Sequence, residues 1–176
     1  IRNQEKGASQ FLLTKFIRGD KQDISNVISQ FKEGEKRRIH PRKVNSKIFH
    51  EIIAFDARDN ARLTKSKLKQ VARLYLNERA PKSRAVVCLH TDQNFHLHLA
   101  IQGVDVSGKS SRISRDRFLA LKKTLEQFQE QELKLEHSGV RHGLCKEQHA
   151  KKNPNRNILT LKSESTVETK KHNDRN

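Results

Sequence analysis

The sequence predicts an α+β domain: an antiparallel-rich open sheet with helices on one face and a histidine metal site on the other. Three observations carry that expectation. Residues 85–90 and 96–101 alternate in character and flank a short polar stretch, as the two strands of a hairpin do. Three further segments repeat apolar residues at the spacing i, i+3, i+4 of an amphipathic helix. His90, His96 and His98 fall within nine residues, and in paired strands of period two they share one side while Leu97, Leu99 and Ile101 take the other.

Taken in order, residues 10–17 are rich in β-formers and stop at Gly19 and Asp20, which predicts a strand. Asp23 is placed as an N-cap for a helix whose apolar face is Ile24, Val27, Ile28 and Phe31, with fraying expected at Gly34. The basic run Lys36, Arg37, Arg38, Ile39, His40, Pro41, Arg42, Lys43 follows. Arginine grips phosphate in two-pronged fashion, so Lys36, Arg37, Arg38, Arg42 and Lys43 are the candidate nucleic-acid contacts, against the plainer reading of a solvated loop.

Residues 48–55 predict a second, central strand interrupted by His50 and Glu51. A carboxylate buried in such a strand is costly unless paired, so Glu51 is expected either to support the histidine site from a neighbouring strand or to face water at an edge. Thr64 caps a second helix with Leu68, Val71, Ala72 and Tyr75 on one face, ending at Ala80 before Pro81. After the histidine hairpin, residues 104–112 hold Gly108 and three serines and predict a turn. Ser114 then caps a long helix with the stripe Phe118, Leu121, Leu125 and Phe128, reaching about Glu136. His137, His142, Cys145 and His149 form a loose group whose spacing matches no strong zinc pattern. Residues 150–176 read as a basic flexible tail after a domain spanning 1–149.

Three neutral imidazoles on one rigid face are a suitable ligand set for a divalent cation, and Asp92 stands close enough in sequence to accept an imidazole N–H. Composition narrows the partner. The 176 residues carry 37 Lys and Arg against 20 Asp and Glu, a formal charge of +17, which favours a polyanion and nucleic acid first. No long apolar run or lipidation signal supports a membrane partner. Cys88 and Cys145 make no disulfide framework, so a reducing compartment is expected. No signal peptide opens the chain, and the lack of any methionine suggests a piece of a longer protein.

The stretch His90-Thr91-Asp92 followed by His96-Leu97-His98 resembles the third motif of the mobilisation relaxases, the histidine-hydrophobe-histidine DNA-nicking endonucleases of plasmids and conjugative elements. Residues 49–55 resemble the strand before that family's second helix, and residues 103–109 the turn after its histidine strand. The resemblance covers roughly residues 10–140. It implies that His90, His96 and His98 hold a divalent ion, Mg or Mn with Zn as an alternative, against a scissile phosphate. It further implies transesterification at a transfer origin on single-stranded or melted DNA, with covalent attachment to the 5′ end of the nicked strand. Asp92 and Glu51 would orient ligands or accept protons, and other relaxosome proteins and the bacterial cytoplasm would be the setting.

The departure from the family is the nucleophile. The place matching its tyrosine holds Phe31, and the positions just beyond hold Lys32, Glu33 and Gly34. The one tyrosine of the chain, Tyr75, falls on the apolar face of the second predicted helix and reads as core, leaving His40 and His50 as weaker candidates. Two alternatives therefore stand beside the nuclease: a catalytically silent, relaxase-like nucleic-acid-binding module, and a replication initiator or transposase with the same histidine motif.

Overall fold

Alternation of small and branched residues through the central hairpin produces a sheet with two unlike faces, and everything else packs by reference to them. A computed structural model of the chain describes residues 10–41, 45–91 and 94–138. Its elements are β1 (Gln10–Lys15), α1 (Ile24–Lys36), β2 (Ile48–Ala54), α2 (Lys65–Arg79), β3 (Ser83–His90), β4 (His96–Asp105) and α3 (Arg115–Gln131), with a 3₁₀ turn at Ala57–Arg62 between β2 and α2. The strands form one antiparallel sheet in the order β1-β3-β4-β2. This is the open α+β architecture expected.

Each helix begins where its capping residue places it. The side chains of Asp23, Thr64 and Ser114 accept the N–H groups of Ser25, Lys67 and Arg117, so each satisfies one of the donors that a first turn leaves without an intrahelical partner. α2 and α3 lie on the face that carries Ala85, Val87, Leu89, Leu97, Leu99 and Ile101, and with Leu68, Val71, Leu76, Leu121 and Leu125 they make the main core. Each such aliphatic, taken wholly out of water, contributes about 1.5–3 kcal/mol before entropy is set against it.

The layering departs from expectation in one detail. α1 lies on the opposite, histidine-bearing face, where Val27 and Phe31 pack on Val86 and Cys88 in a second, smaller cluster with Ile17. The face expected to be uncovered is thus covered at one end. α1 also runs through Gly34 to Lys36 instead of fraying there. The reason is close approach: Gly34 sits against the Gln102 side chain, whose amide donates to the Phe31 carbonyl at 2.9 Å, and a Cβ at that position would overlap it.

α3 stops at Gln131, a turn and a half short of the expected end. Beyond it the chain doubles back with Lys134 at φ 55°, which lets Leu133 and Leu135 enter the core. Asp59, fully buried in the 3₁₀ turn, fastens this strap: its carboxylate accepts the His137 N–H at 2.9 Å, the Ser138 hydroxyl at 2.7 Å and the Glu136 N–H at 3.3 Å. Burial works to raise the Asp59 pKa, and the Ser138 hydroxyl with the backbone N–H groups overcomes it, leaving the pKa below 3.8. A carboxyl whose folded pKa is depressed contributes stability above its unfolded pKa and loses it as pH falls through the folded value. Asp59→Asn is accordingly expected to cost about 2 kcal/mol at neutral pH, with the gap from wild type narrowing below pH ~4. Urea unfolding at several pH values measures both.

A candidate metal centre beside an apolar groove

The hairpin register brings the three histidines together. His90 pairs directly with His96 across β3 and β4, and His98 pairs with Cys88 two residues along, so all three rings rise from one face. Ring centroids lie 5.1 Å apart for His90 and His96, 4.4 Å for His90 and His98, and 5.0 Å for His96 and His98. One nitrogen from each ring falls within 4.8 Å of the other two. Ligand nitrogens on a common cation stand roughly 3–3.4 Å apart at bond lengths of about 2.1 Å, so a small inward movement of the rings closes the set. Among the described residues this is the one such group.

The donor chemistry also fits a cation. His96 Nδ1 lies 2.9 Å from the Asn94 carbonyl, which can only accept, so Nδ1 carries the proton and Nε2 is the basic nitrogen. His98 Nδ1 lies 2.8 Å from His50 Nε2, with the two rings within 7° of parallel and their centroids 5.0 Å apart, so that they meet edge to edge. His50 reaches that position from β2, where it shares the histidine face with Ile48 and Ile52; Ile52 is the direct partner of His98. The sequence alone offers His50 as a nucleophile candidate and does not connect it to His98. The signal was its place in the alternation of β2, which becomes informative once β2 is known to pair with β4.

Glu51 is a correction. As the neighbour of His50 on a strand it points to the opposite face, where its carboxylate accepts the Tyr75 hydroxyl at 2.8 Å and Arg79 Nε at 2.8 Å. Arg79, almost wholly buried, also donates to the Ser111 carbonyl and lies over the Phe49 ring at 5.0 Å. Glu51 is therefore a paired, partly buried group on the core side of β2, which lies at the sheet edge and not in its centre, and it does not support the histidines. Tyr75 is held in the core as expected, and burial, followed by the charge of Glu51, pushes its phenol far above the usual range.

Phe31 is part of the small cluster under α1. Lys36 and Arg37 are exposed at the end of α1, whereas Arg38 is committed to Glu35, 2.7 Å away, and to the Ser46 carbonyl, with its side chain 9% exposed. That pairing takes Arg38 out of the set of free phosphate contacts. His40 is exposed and lines a separate cavity of about 510 Å³ with Arg38, Lys109 and Arg112. Asp92, Arg42 and Lys43 lie outside the described residues, as do His142, Cys145, His149 and the segment 150–176; His137 packs in the strap near Glu136.

Beside the triad runs an almost wholly apolar groove of about 520 Å³ between α1 and the sheet, lined by Val27, Ile28, Phe31, Ile48, Val86, Cys88 and Ala100 with Lys32, Glu35 and Lys47 at its polar edge. Cys88 and Ala100 are the strand partners of His98 and His50, so the groove begins one residue pair from the imidazoles. Ile28 and Ile48 are each about half exposed along it, as is Ile52 on the same face of β2. The groove is not legible in the sequence, because the stripe of α1 does not reveal on which side of the sheet it packs. No described helix is long and apolar enough to cross a membrane.

A family model described as relaxase, MobA/VirD2-like, nuclease domain, matches residues 1–134. No curated protein and no solved structure matches the chain.

Proposed function

Because the chain belongs to the MobA/VirD2-like relaxases through their nuclease domain, we propose that it nicks single-stranded or locally melted DNA by metal-dependent transesterification at a plasmid or conjugative-element transfer origin. The observation that carries this reading is the convergence of His90, His96 and His98 on one face, with ring nitrogens within 4.8 Å of one another. These three residues would hold the ion. Mg or Mn bound there supplies Lewis-acid polarisation of a nonbridging phosphate oxygen and spreads the charge of the transition state.

The chain's own residues supply position. The strand lies along the groove, its bases against Phe31, Ile28 and Ile48 and its phosphates toward Lys32 and Lys47, in the manner of apolar platforms with a basic margin. Gln102, which the end of α1 grips, stands four residues beyond His98 on β4, about 13 Å away. The exposed Lys36 and Arg37 thus sit near the far end of the same track, at a reach of about two nucleotides. Asp92, two positions after His90 in the sequence, is proposed to orient an imidazole or accept a proton. In this reading residues 1–149 form the nuclease domain, residues 150–176 a basic tail that adds phosphate contacts, and the bacterial cytoplasm with other relaxosome proteins is the setting.

The attacking group separates two versions of the proposal. Tyr75 is buried on the far face, so a tyrosine attack at the cation is not available from the described residues. That observation also favours a second reading, a module that binds DNA without cutting it. Incubating the full chain with supercoiled plasmid carrying a transfer origin, with Mn or with EDTA, distinguishes them. Mn-dependent open circles with a detergent-resistant protein-DNA adduct are the expected result, and open circles without an adduct assign the attack to water. Salt-sensitive binding with no Mn-dependent cleavage would remove the nuclease and leave the module.

A further inference from the structure

A ligating histidine works only if its proton is on the other nitrogen. His96 achieves this through the Asn94 carbonyl, a backbone acceptor that cannot donate. The second contact of this kind is made by a side chain. His98 Nδ1 and His50 Nε2 stand 2.8 Å apart, their rings are nearly parallel, and His50 is carried by a different strand, on the face it shares with His98. Two neutral imidazoles at this distance share one proton in one of two ways. If His50 donates, His98 Nδ1 is the acceptor and its Nε2 bears hydrogen, closing that nitrogen to a cation. If His98 donates, its Nε2 is basic, as in His96, and both β4 histidines present the same nitrogen.

We propose that His50 is the positioning residue of the metal centre: its Nε2 accepts the His98 Nδ1–H and locks His98 in the tautomer that can ligate through Nε2. The role rests on the reading of the triad as a cation site. It requires no titration of His50 and no contact between His50 and the ion. The in-plane contact between two nearly coplanar rings fixes the His98 ring plane as well as its proton, which a water in place of His50 would not do. The exposed position of His50 on β2 means that changing it leaves the main core intact.

Two measurements test this on the full chain. Nitrogen-15 NMR of the histidine rings in the metal-free protein, at a pH where imidazoles are neutral, is expected to show His98 protonated at Nδ1. In His50→Ala it should revert toward the Nε2–H form that predominates in water. Calorimetric titration with Mn is expected to show a loss of about 10–100-fold in affinity for His50→Ala and recovery to within about threefold in His50→Gln, whose side-chain oxygen can accept the same proton. An Nε2–H pattern for His98 in the wild type overturns the proposal. So does equal loss in both variants, which would make His50 a ligand, or unchanged Mn affinity in both. Failure of the wild type itself to bind Mn would instead overturn the cation reading beneath it.

Discussion

Changing His96 and His98 together to alanine is expected to abolish Mn binding and to lower plasmid nicking by about a thousandfold or more, because several kcal/mol of charge stabilisation leave with the ion and each 1.36 kcal/mol is a factor of ten. The same change should leave the fold standing. Both rings rise from the face opposite the main core, while Leu97 and Leu99 beside them on β4 are fully buried and untouched. The expected signature is therefore a flat Mn titration and no open circles, with a melting transition close to that of wild type. A double variant that still cuts DNA in Mn would move the reaction away from the triad.

The largest effect on stability is expected on the other side of the sheet. Replacing Arg79 with methionine keeps much of the side-chain volume but strips the Glu51 carboxylate of its charge partner and leaves the Ser111 carbonyl without its donor. Removing one member of a fully buried pair typically costs about 3–5 kcal/mol; with the Glu51 side chain 19% exposed the expected cost is about 3 kcal/mol, which in a chain of this size lowers the melting temperature by about 10 °C. Adding Glu51→Gln to Arg79→Met should restore part of the loss, since the stranded charge is then gone and the Tyr75 hydroxyl retains an acceptor. Denaturant unfolding of the single and double variants closes the cycle. A cost for Arg79→Met below about 1 kcal/mol would mean that water reaches the pair.

The two predictions sit on opposite faces of β2 and β4, and the difference shows what could be read from the residues beforehand. The alternation of His96, Leu97, His98, Leu99 states its own faces, and the caps at Asp23, Thr64 and Ser114 announce their helices, so the central hairpin and the helix starts were legible. β2 was harder. Ile48 and Ile52 are as apolar as Phe49 and Ile53, so nothing in the strand itself says that His50 belongs with the histidines and Glu51 with the core. Pairing with β4 decides it, and pairing is a long-range fact. The same holds for α1: an amphipathic stripe shows that one side is buried, but the sheet has two faces, and only the contact of Val27 and Phe31 with Val86 and Cys88 selects one. Arg79 left a trace, standing four residues after Tyr75 on the same helical face, which is where a charge that is going to be buried beside a phenol must be.

The seat of Gly34 against Gln102 has a consequence for the trough it borders. Helix and sheet are joined there through the Gln102 amide, which sits where a side chain at position 34 would be and bonds the Phe31 carbonyl, so α1 is pinned to β4 at the end of the channel that Phe31 lines. Any larger substituent would displace the Gln102 amide and break its bond to the Phe31 carbonyl, loosening the tie between α1 and the sheet. The anchorage of the channel's covering helix thus depends on the one residue of the described helices that has no side chain.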